Sequence, residues 1–198
     1  MFDRALQIDP NDADALNGTA LTYFFDFIYG WGDPGTDYEA NVLGQASRAI
    51  GLDPDNVRAY YIKAFYLALS RRANEALGAA DAGLAINPNI PVLYQARAVA
   101  ENSLGGYEQA KADLERAMRI NPRDPAMSFW HVDFGDAEIN LGHFEAAIDE
   151  YRSTWVCRGR ISSTQTWPPP TRIPARWMRR RPNSPKPAGS TPQSRSSG

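Results

Sequence analysis

Three kinds of side chain in this sequence could support chemistry: two imidazoles, one thiol and a cluster of carboxylates. His131, His143 and Cys157 are the only histidines and the only cysteine. A zinc site needs such ligands at short, regular spacings, and these three residues lack that spacing. We therefore expect His131 to take a core-packing place and His143 to lie in a turn, with no metal or cofactor site.

The carboxylates of Asp133, Asp136 and Glu138 fall close together in the sequence. Paired carboxylates can act as general acid and base, but three acids on one helix usually form a solvated face. No glycine-rich phosphate loop, nucleophile elbow or dinucleotide fingerprint is present. The sequence thus predicts no catalytic residue and no enzymatic activity.

The elements that carry these residues belong to a repeat. The phrases ALQIDP, AIGLDP, GLAINP and AMRINP end at Pro10, Pro54, Pro88 and Pro122, with spacings of 44, 34 and 34 residues. A 34-residue period with small residues at fixed places resembles the tetratricopeptide repeat, as does the turn phrase LGGYEQA. The resemblance implies an all-α fold, a right-handed α-solenoid of antiparallel helix pairs that binds protein partners.

The hydrophobic period and the proline spacing predict eight helices in four pairs: 13–29 with 37–51, 56–70 with 73–86, 90–104 with 107–120, and 125–141 with 144–154. Small residues should let paired helices approach. They are Gly18, Ala64, Ala98 and Gly135 on first helices and Ala76, Ala110 and Ala147 on second helices, with Val42 as the exception. Asp12, Asp55 and Asp124 stand where helix N-caps are expected.

Six segments follow from the repeat. Residues 1–10 are a remnant of a truncated repeat, and residues 11–54 are a pair with a ten-residue insertion. Two regular repeats occupy 55–90 and 91–124. A pair with a three-residue insertion occupies 125–154 and is truncated. Residues 155–198 form a tail rich in Pro, Arg and Ser, which we expect to be disordered.

The insertion of the first pair follows an aromatic run from Tyr23 to Trp31. Its glycines and proline, Gly30, Gly32, Pro34 and Gly35, predict a loop. We interpret the run as core plus cover for the exposed first layer of the stack. The alternative is a docking patch for whatever preceded Met1 in a longer protein.

In tetratricopeptide arrays the first helices line a groove that binds peptides. The resemblance places there Arg58, Tyr61, Phe65, Leu69, Gln95, Val99, Asn102, Ser103, Val132, Asp136 and Asn140. The Lys, Asn and Arg clamp by which the family binds peptide carboxylates is missing from these places. A peptide of mixed apolar and polar character is therefore the expected partner.

The charge of the chain is divided unevenly. Residues 1–150 contain all 23 acids and 11 of the basic residues, whereas residues 151–198 contain 10 basic residues and no acid. One interpretation is a disordered basic tail that binds nucleic acid. The other is a reading-frame slip near codon 153, because Trp177-Met178-Arg179 read two bases into each codon encodes an apolar residue, Asp and then Glu or Ala.

We favour the slip, since the shifted frame can encode a fifth helix pair. The motif PPP then has no role as an SH3 ligand. The stack would end without a capping layer, so its end face should favour self-association.

The sequence also bears on where the protein is located in the cell and on the kind of system it belongs to. The amino terminus does not read as a signal peptide, no apolar run is long enough to cross a membrane, and the single cysteine suits a reducing compartment, so we expect a cytoplasmic protein. The long first pair, with DFIYGWGDPGTDYEAN, also looks like regions that follow the catalytic or DNA-binding domain of bacterial adenylate cyclases and related signalling proteins. Three functions stay open: a protein-binding scaffold, a regulatory region of a cyclase or transcriptional regulator, and a nucleic-acid adaptor.

Overall fold

The computed structural model describes residues 1–157, with side chains through Thr154. The helices are α1 Phe2–Ile8, α2 Ala13–Tyr29, α3 Gln45–Leu52, α4 Val57–Leu69, α5 Ala73–Ile86, α6 Pro91–Leu104, α7 Tyr107–Ile120, α8 Met127–Leu141 and α9 Phe144–Cys157. A π-helical segment, Glu39–Gly44, runs directly into α3. These residues include no β-strand, which confirms the all-α prediction.

The helices pair as the repeat predicts, and apart from the start of α3 their ends lie within three residues of the predicted ends. α4 packs against α5, α6 against α7, and α8 against α9. The first helices also contact one another in the series α2, α4, α6, α8, whereas among the described residues the second helices do not. The first helices therefore form a continuous inner layer, with the second helices spread along its outer side.

Two of the three predicted N-caps are wrong. Asp12 caps α2 by accepting from the Ala15 N–H at 3.0 Å, as expected. α4 is capped instead by Asn56, whose side chain accepts from the Ala59 N–H at 3.2 Å. Asp124 accepts from the Ala126 N–H at 2.8 Å, within the turn before α8. Both helices begin later than the proline pattern implies, so Asp55 and Asp124 belong to the turns that precede them.

The small residues lie where paired helices cross, with one exception. Ala64, Ala76, Ala98 and Ala110 are fully buried. A Cβ added to Gly135 would come within 2.8 Å of the Tyr151 ring of α9, so this position needs glycine.

Gly18 is the exception, because it faces the Phe2 ring of α1 rather than α3. Ala20 takes the crossing instead and packs with Val42 and Ala46. The register of α2 against its partner is thus two residues off the prediction. Helix α1 occupies the face of α2 that Gly18 presents.

The ten-residue insertion extends α2 and then forms the predicted loop. Gly30 ends α2 with a φ of 67°, a left-handed conformation that suits glycine. The loop then folds back, and Tyr38 meets Phe27 with ring centroids 5.5 Å apart. The insertion is accommodated beside the pair, and α2 still packs against α3.

The predictions for the carboxy-terminal part of the chain can be compared with the structure as far as Cys157. α9 continues three residues past its predicted end, because Ser153 and Thr154 hydrogen-bond back to the carbonyls of Asp149 and Tyr151 and do not interrupt it. The rest of the predicted disordered tail, with its PPP motif and the frame-slip codons, lies outside the described residues. Among those described, no helix is both long enough and apolar enough to cross a membrane.

Candidate functional site

The predicted groove residues lie on the first helices, which make up the inner layer, but they are not equally accessible. Arg58, Leu69, Ser103 and Asn140 are exposed. Half-buried positions are Tyr61, Phe65, Val99, Asn102, Val132 and Asp136. Gln95 is buried. A partner could therefore reach most of the predicted residues, but not Gln95 without rearrangement.

The half of the inner layer formed by α2 and α4 is aromatic. The buried Phe24 ring lies edge-on to Tyr61 and Phe65, with centroids 6.3 and 5.7 Å apart. Burial raises the pKa of Tyr61, with smaller contributions from Asp124 and Tyr29. The Tyr61 hydroxyl therefore stays protonated at neutral pH and can donate a hydrogen bond to a ligand.

Two further residues, Leu21 and Phe25, extend this half and were not predicted. With Asp14, Gly18 and Arg58 they line an open hollow of about 570 Å³ between α1, α2 and α4. The four-residue spacing of Leu21 and Phe25 was visible in the sequence, but placing them in the groove required the two-residue shift of α2.

The half formed by α6 and α8 is held by a polar network. Gln95 Nε2 donates to Asp133 Oδ2 at 2.8 Å, while Gln95 Oε1 accepts from Trp130 Nε1 at 2.8 Å. Asn102 Nδ2 donates to the Asp133 carbonyl at 3.0 Å. The amides of Gln95 and Asn102 thus join α6 to α8, a structural task that the groove prediction did not foresee.

The three clustered acids do not form the solvated face that the sequence suggested. The pKa of Asp133 is raised to about 7, mainly by burial and to a smaller extent by Asp136, while the hydrogen bond from Gln95 opposes the rise. Glu138 is buried and bridges Lys111 Nζ at 2.8 Å and His143 Nδ1 at 2.7 Å. Although burial raises the pKa of Glu138, Lys111 and His143 bring it below the usual value. The acids of α8 look like surface residues in the sequence because their partners on other helices and turns are not visible there.

Both histidines form hydrogen-bonded pairs with carboxylates. His131 is half-buried and its Nδ1 lies 2.7 Å from Glu150 Oε2, so it bridges α8 to α9 instead of packing in an apolar core. His143 lies in the turn before α9, as predicted. In the part of the chain that the structure describes, no group of His, Cys, Asp and Glu is arranged to hold a metal ion. The Cys157 side chain lies outside the described side chains.

An ion-pair network that the sequence reading missed centres on Arg97. Its guanidinium forms two bonds to the buried Asp113 carboxylate, at 2.7 and 2.5 Å, and a third to Asp81 at 2.9 Å. These partners raise the pKa of Arg97 above its already high value. One residue of α6 thereby ties α5 and α7 together.

Comparison with known proteins agrees with this geometry. A family model described as a tetratricopeptide repeat matches residues 92–124. A curated relative, the small glutamine-rich tetratricopeptide repeat-containing protein 2 of Mycosarcoma maydis, is 30% identical over 93 residues, which are 42% of this chain and 26% of the relative. The chain therefore spans about a quarter of the length of that relative.

Solved structures show the same fold at low sequence identity. TTC0263, a thermophilic tetratricopeptide repeat protein of Thermus thermophilus, superposes with a TM-score of 0.65 at 19% identity, over 80% of each chain. A structure of MamA has a TM-score of 0.59 at 18% identity, over 80% of this chain and 85% of MamA. PilW, a type IV pilus biogenesis factor, has a TM-score of 0.61 at 18% identity, over 77% of this chain and 66% of PilW.

The helix pairs and the continuous inner layer define an α-solenoid. Residues 92–124 match the tetratricopeptide repeat, and the described helices share the fold of the solved tetratricopeptide repeat structure.

Proposed function

We propose that this chain is a non-catalytic scaffold that holds a peptide or partner domain against the inner layer of its solenoid. The observation that carries the proposal is the inner surface of α4. There Leu69 is 39% exposed, beside the half-buried rings of Tyr61 and Phe65. Apolar and aromatic side chains at a concave surface are typical anchors for peptide binding.

Polar groups on α4 itself and on α8 would complement these anchors. Arg58 and Asn140 are exposed, and Asn140 Nδ2 already donates to the Asp136 carbonyl at 2.7 Å. Amides and a guanidinium suit the backbone and polar side chains of an extended peptide. The expected ligand is a peptide that places an apolar residue near Leu69 and polar residues towards α8.

A peptide-display selection against the full chain tests this proposal. Peptides recovered from the selection would be measured against Leu69→Ala and against a matched control, Ile86→Ala. Leu69 and Ile86 are 39% and 37% exposed, but Ile86 lies on α5, outside the inner layer. We expect the Leu69 change to weaken binding at least about fivefold and the control to leave it unchanged. Equal effects would place the binding surface elsewhere.

The sequence features of the first pair support a more specific context. We propose that the chain acts in bacterial signalling as a detached regulatory region related to those of adenylate cyclases or transcriptional regulators. The supporting feature is the insertion that forms the loop after α2. A catalytic or DNA-binding domain encoded directly upstream of Met1 would support this context, and an unrelated upstream gene would count against it.

We propose that the tail results from a reading-frame slip. We also propose that the chain is cytoplasmic and that it self-associates through the end of the stack, which would then lack a capping layer. A frame-corrected chain should scatter less light than the chain as written at equal concentration. The nucleic-acid alternative predicts instead a salt-sensitive affinity for duplex DNA that disappears on truncation after Ser153. Sequencing the gene around codon 153 distinguishes the two.

A further inference from the structure

An aromatic ladder of Phe25, Tyr29 and Trp31 lies at the end of α2. The rings of Phe25 and Tyr29 stack with centroids 6.1 Å apart, and those of Tyr29 and Trp31 with centroids 4.6 Å apart. Trp31 is 71% exposed and Tyr29 is 47% exposed. A continuous exposed patch of this kind on a folded protein commonly marks an interaction surface.

Core packing accounts for only part of the aromatic run. Phe24 is buried, and Phe27 packs against Tyr38 and Tyr66 with centroids 5.5 and 5.0 Å apart. Phe24 and Phe27 are therefore core residues, which agrees with the core part of that interpretation. The ladder residues face solvent instead, so covering the first layer does not explain them.

The surroundings of the ladder are acidic. Trp31, Asp26, Asp33 and Asp37 line one open hollow of about 580 Å³ between α1, α2 and the loop. Asp26 and Asp33 form no ion pair with any described residue. Four acids and no Lys or Arg line this hollow, so its side chains favour a cation.

We propose that the aromatic ladder docks an arginine-containing segment of a partner protein. A guanidinium can stack on the exposed indole of Trp31 while it forms hydrogen bonds to the carboxylate of Asp33 or Asp26. Arginine suits this surface better than lysine because its planar group can do both at once. The charge complementarity selects a basic segment, and the exposed rings select one with apolar or stacking side chains.

Trp31, the ladder residue changed in the tests below, lies outside the hollow that Phe25 shares with Arg58 of α4. Leu69 and Phe65 belong to α4, whereas the ladder ends in the loop after α2. Failure of one proposal therefore leaves the other standing. Leu69→Ala should not affect binding at the ladder, and Trp31→Ala should not affect binding at Leu69.

The first test uses the full chain and a fluorescein-labelled peptide of alternating Arg and Leu, with fluorescence anisotropy as the readout. The reference peptide replaces each Arg by Glu. We expect the Arg peptide to bind and the Glu peptide not to bind. Trp31→Ala should weaken the Arg peptide about fivefold to tenfold. Phe144→Ala, a change at an aromatic residue that is 60% exposed on α9, is the matched control and should change affinity less than about twofold.

A second pair of variants separates local contact from net charge. Asp33→Asn and Glu145→Gln each remove one negative charge from an exposed residue. We expect only Asp33→Asn to weaken the Arg peptide, by a few fold, with the difference shrinking as salt is raised. Equal weakening by both variants would mean that the peptide senses net charge alone, and the proposal would be overturned.

Trp31→Leu guards against a trivial explanation by loss of apolar area. It keeps an apolar side chain but removes the π face. Circular dichroism would confirm that the variants keep their helices, as the exposure of Trp31 leads us to expect. If Trp31→Leu binds the Arg peptide as tightly as the unchanged chain, guanidinium stacking is wrong. The same holds if a Lys peptide binds as tightly as the Arg peptide.

Discussion

Within each half of the inner layer, the two helices are held together by a different kind of interaction. Between α2 and α4 the contact is made by rings, with Phe24 at its centre. Between α6 and α8 it is made by hydrogen bonds, which Gln95 and Asn102 donate to Asp133 and which Trp130 donates to Gln95. Apolar packing is insensitive to pH, whereas a network that contains a carboxylate is not. The same repeat can therefore be assembled by interactions that respond differently to mutation and to solution conditions.

The largest effect is expected in the aromatic half. Phe24→Ala should lower the free energy of unfolding by about 3–5 kcal/mol, because a fully buried ring is removed between two helices. Urea unfolding monitored by circular dichroism measures it. The loss should be the same at pH 5 and pH 8, since no titratable group changes. A loss below about 1 kcal/mol would mean that the α2–α4 contact is not held by this ring.

A smaller loss of stability is expected when the ion-pair network at Arg97 is removed. Arg97→Ala leaves the buried Asp113 carboxylate without its cation, which should cost about 2–4 kcal/mol. Adding Asp113→Asn to Arg97→Ala should restore part of the loss, because the uncompensated charge is then gone. Denaturant midpoints of the two single variants and the double variant test this. Additive losses would show that the two residues do not interact energetically.

The smallest expected effect is a pH-dependent increase in stability when Asp133 is replaced by Asn. The pKa of Asp133 is raised by burial to about 7, so ionising its carboxylate costs more in the folded chain than in the unfolded one. This penalty is absent below the ordinary Asp pKa, grows as the pH rises and is complete above about 7. Asp133→Asn should therefore stabilise the chain by about 1–2 kcal/mol at pH 8 and by less at pH 5.

The Asp133 prediction also sharpens the comparison of the two halves. The amide that Asp133→Asn introduces can still accept a hydrogen bond from Gln95, so the geometry of the network should be kept. The stability of this variant relative to the unchanged chain would be followed between pH 5 and pH 8. A difference that stays constant over this range would mean that Asp133 is solvated, and that the polar half is as insensitive to pH as the aromatic half.

The helix pairs could be predicted because the repeat records local constraints. Prolines at a 34-residue spacing end each pair, and small residues such as Ala98 and Ala110 mark the crossings. The groove residues were less predictable. Arg58 and Leu69 are exposed on the inner layer, but Gln95 is buried and its side-chain oxygen accepts a hydrogen bond from Trp130 of a different repeat. Such a partner is 35 residues away and leaves no local signal.

The register of α2 against its partner helix and the surroundings of Glu138 could not be predicted from the sequence either. Gly18 fits the repeat by its place, yet helix α1 puts Phe2 against it, and the crossing lies at Ala20. Glu138 looks like one of three surface acids, yet Lys111 and His143 enclose it. In both cases the outcome depends on which neighbouring residues of other elements pack against the position.

By itself the sequence determined that the described part of this chain is a series of antiparallel helix pairs, because helix periodicity, proline stops and small crossing residues act within a single repeat. The tertiary structure alone decided which polar side chains are used to join repeats and which stay available to a partner. It also decided that Phe25, Tyr29 and Trp31 stack in solvent beside carboxylates that form no ion pair with the described residues. Those choices depend on contacts between helices far apart in the chain, where hydrogen bonding and desolvation are set by neighbours rather than by spacing.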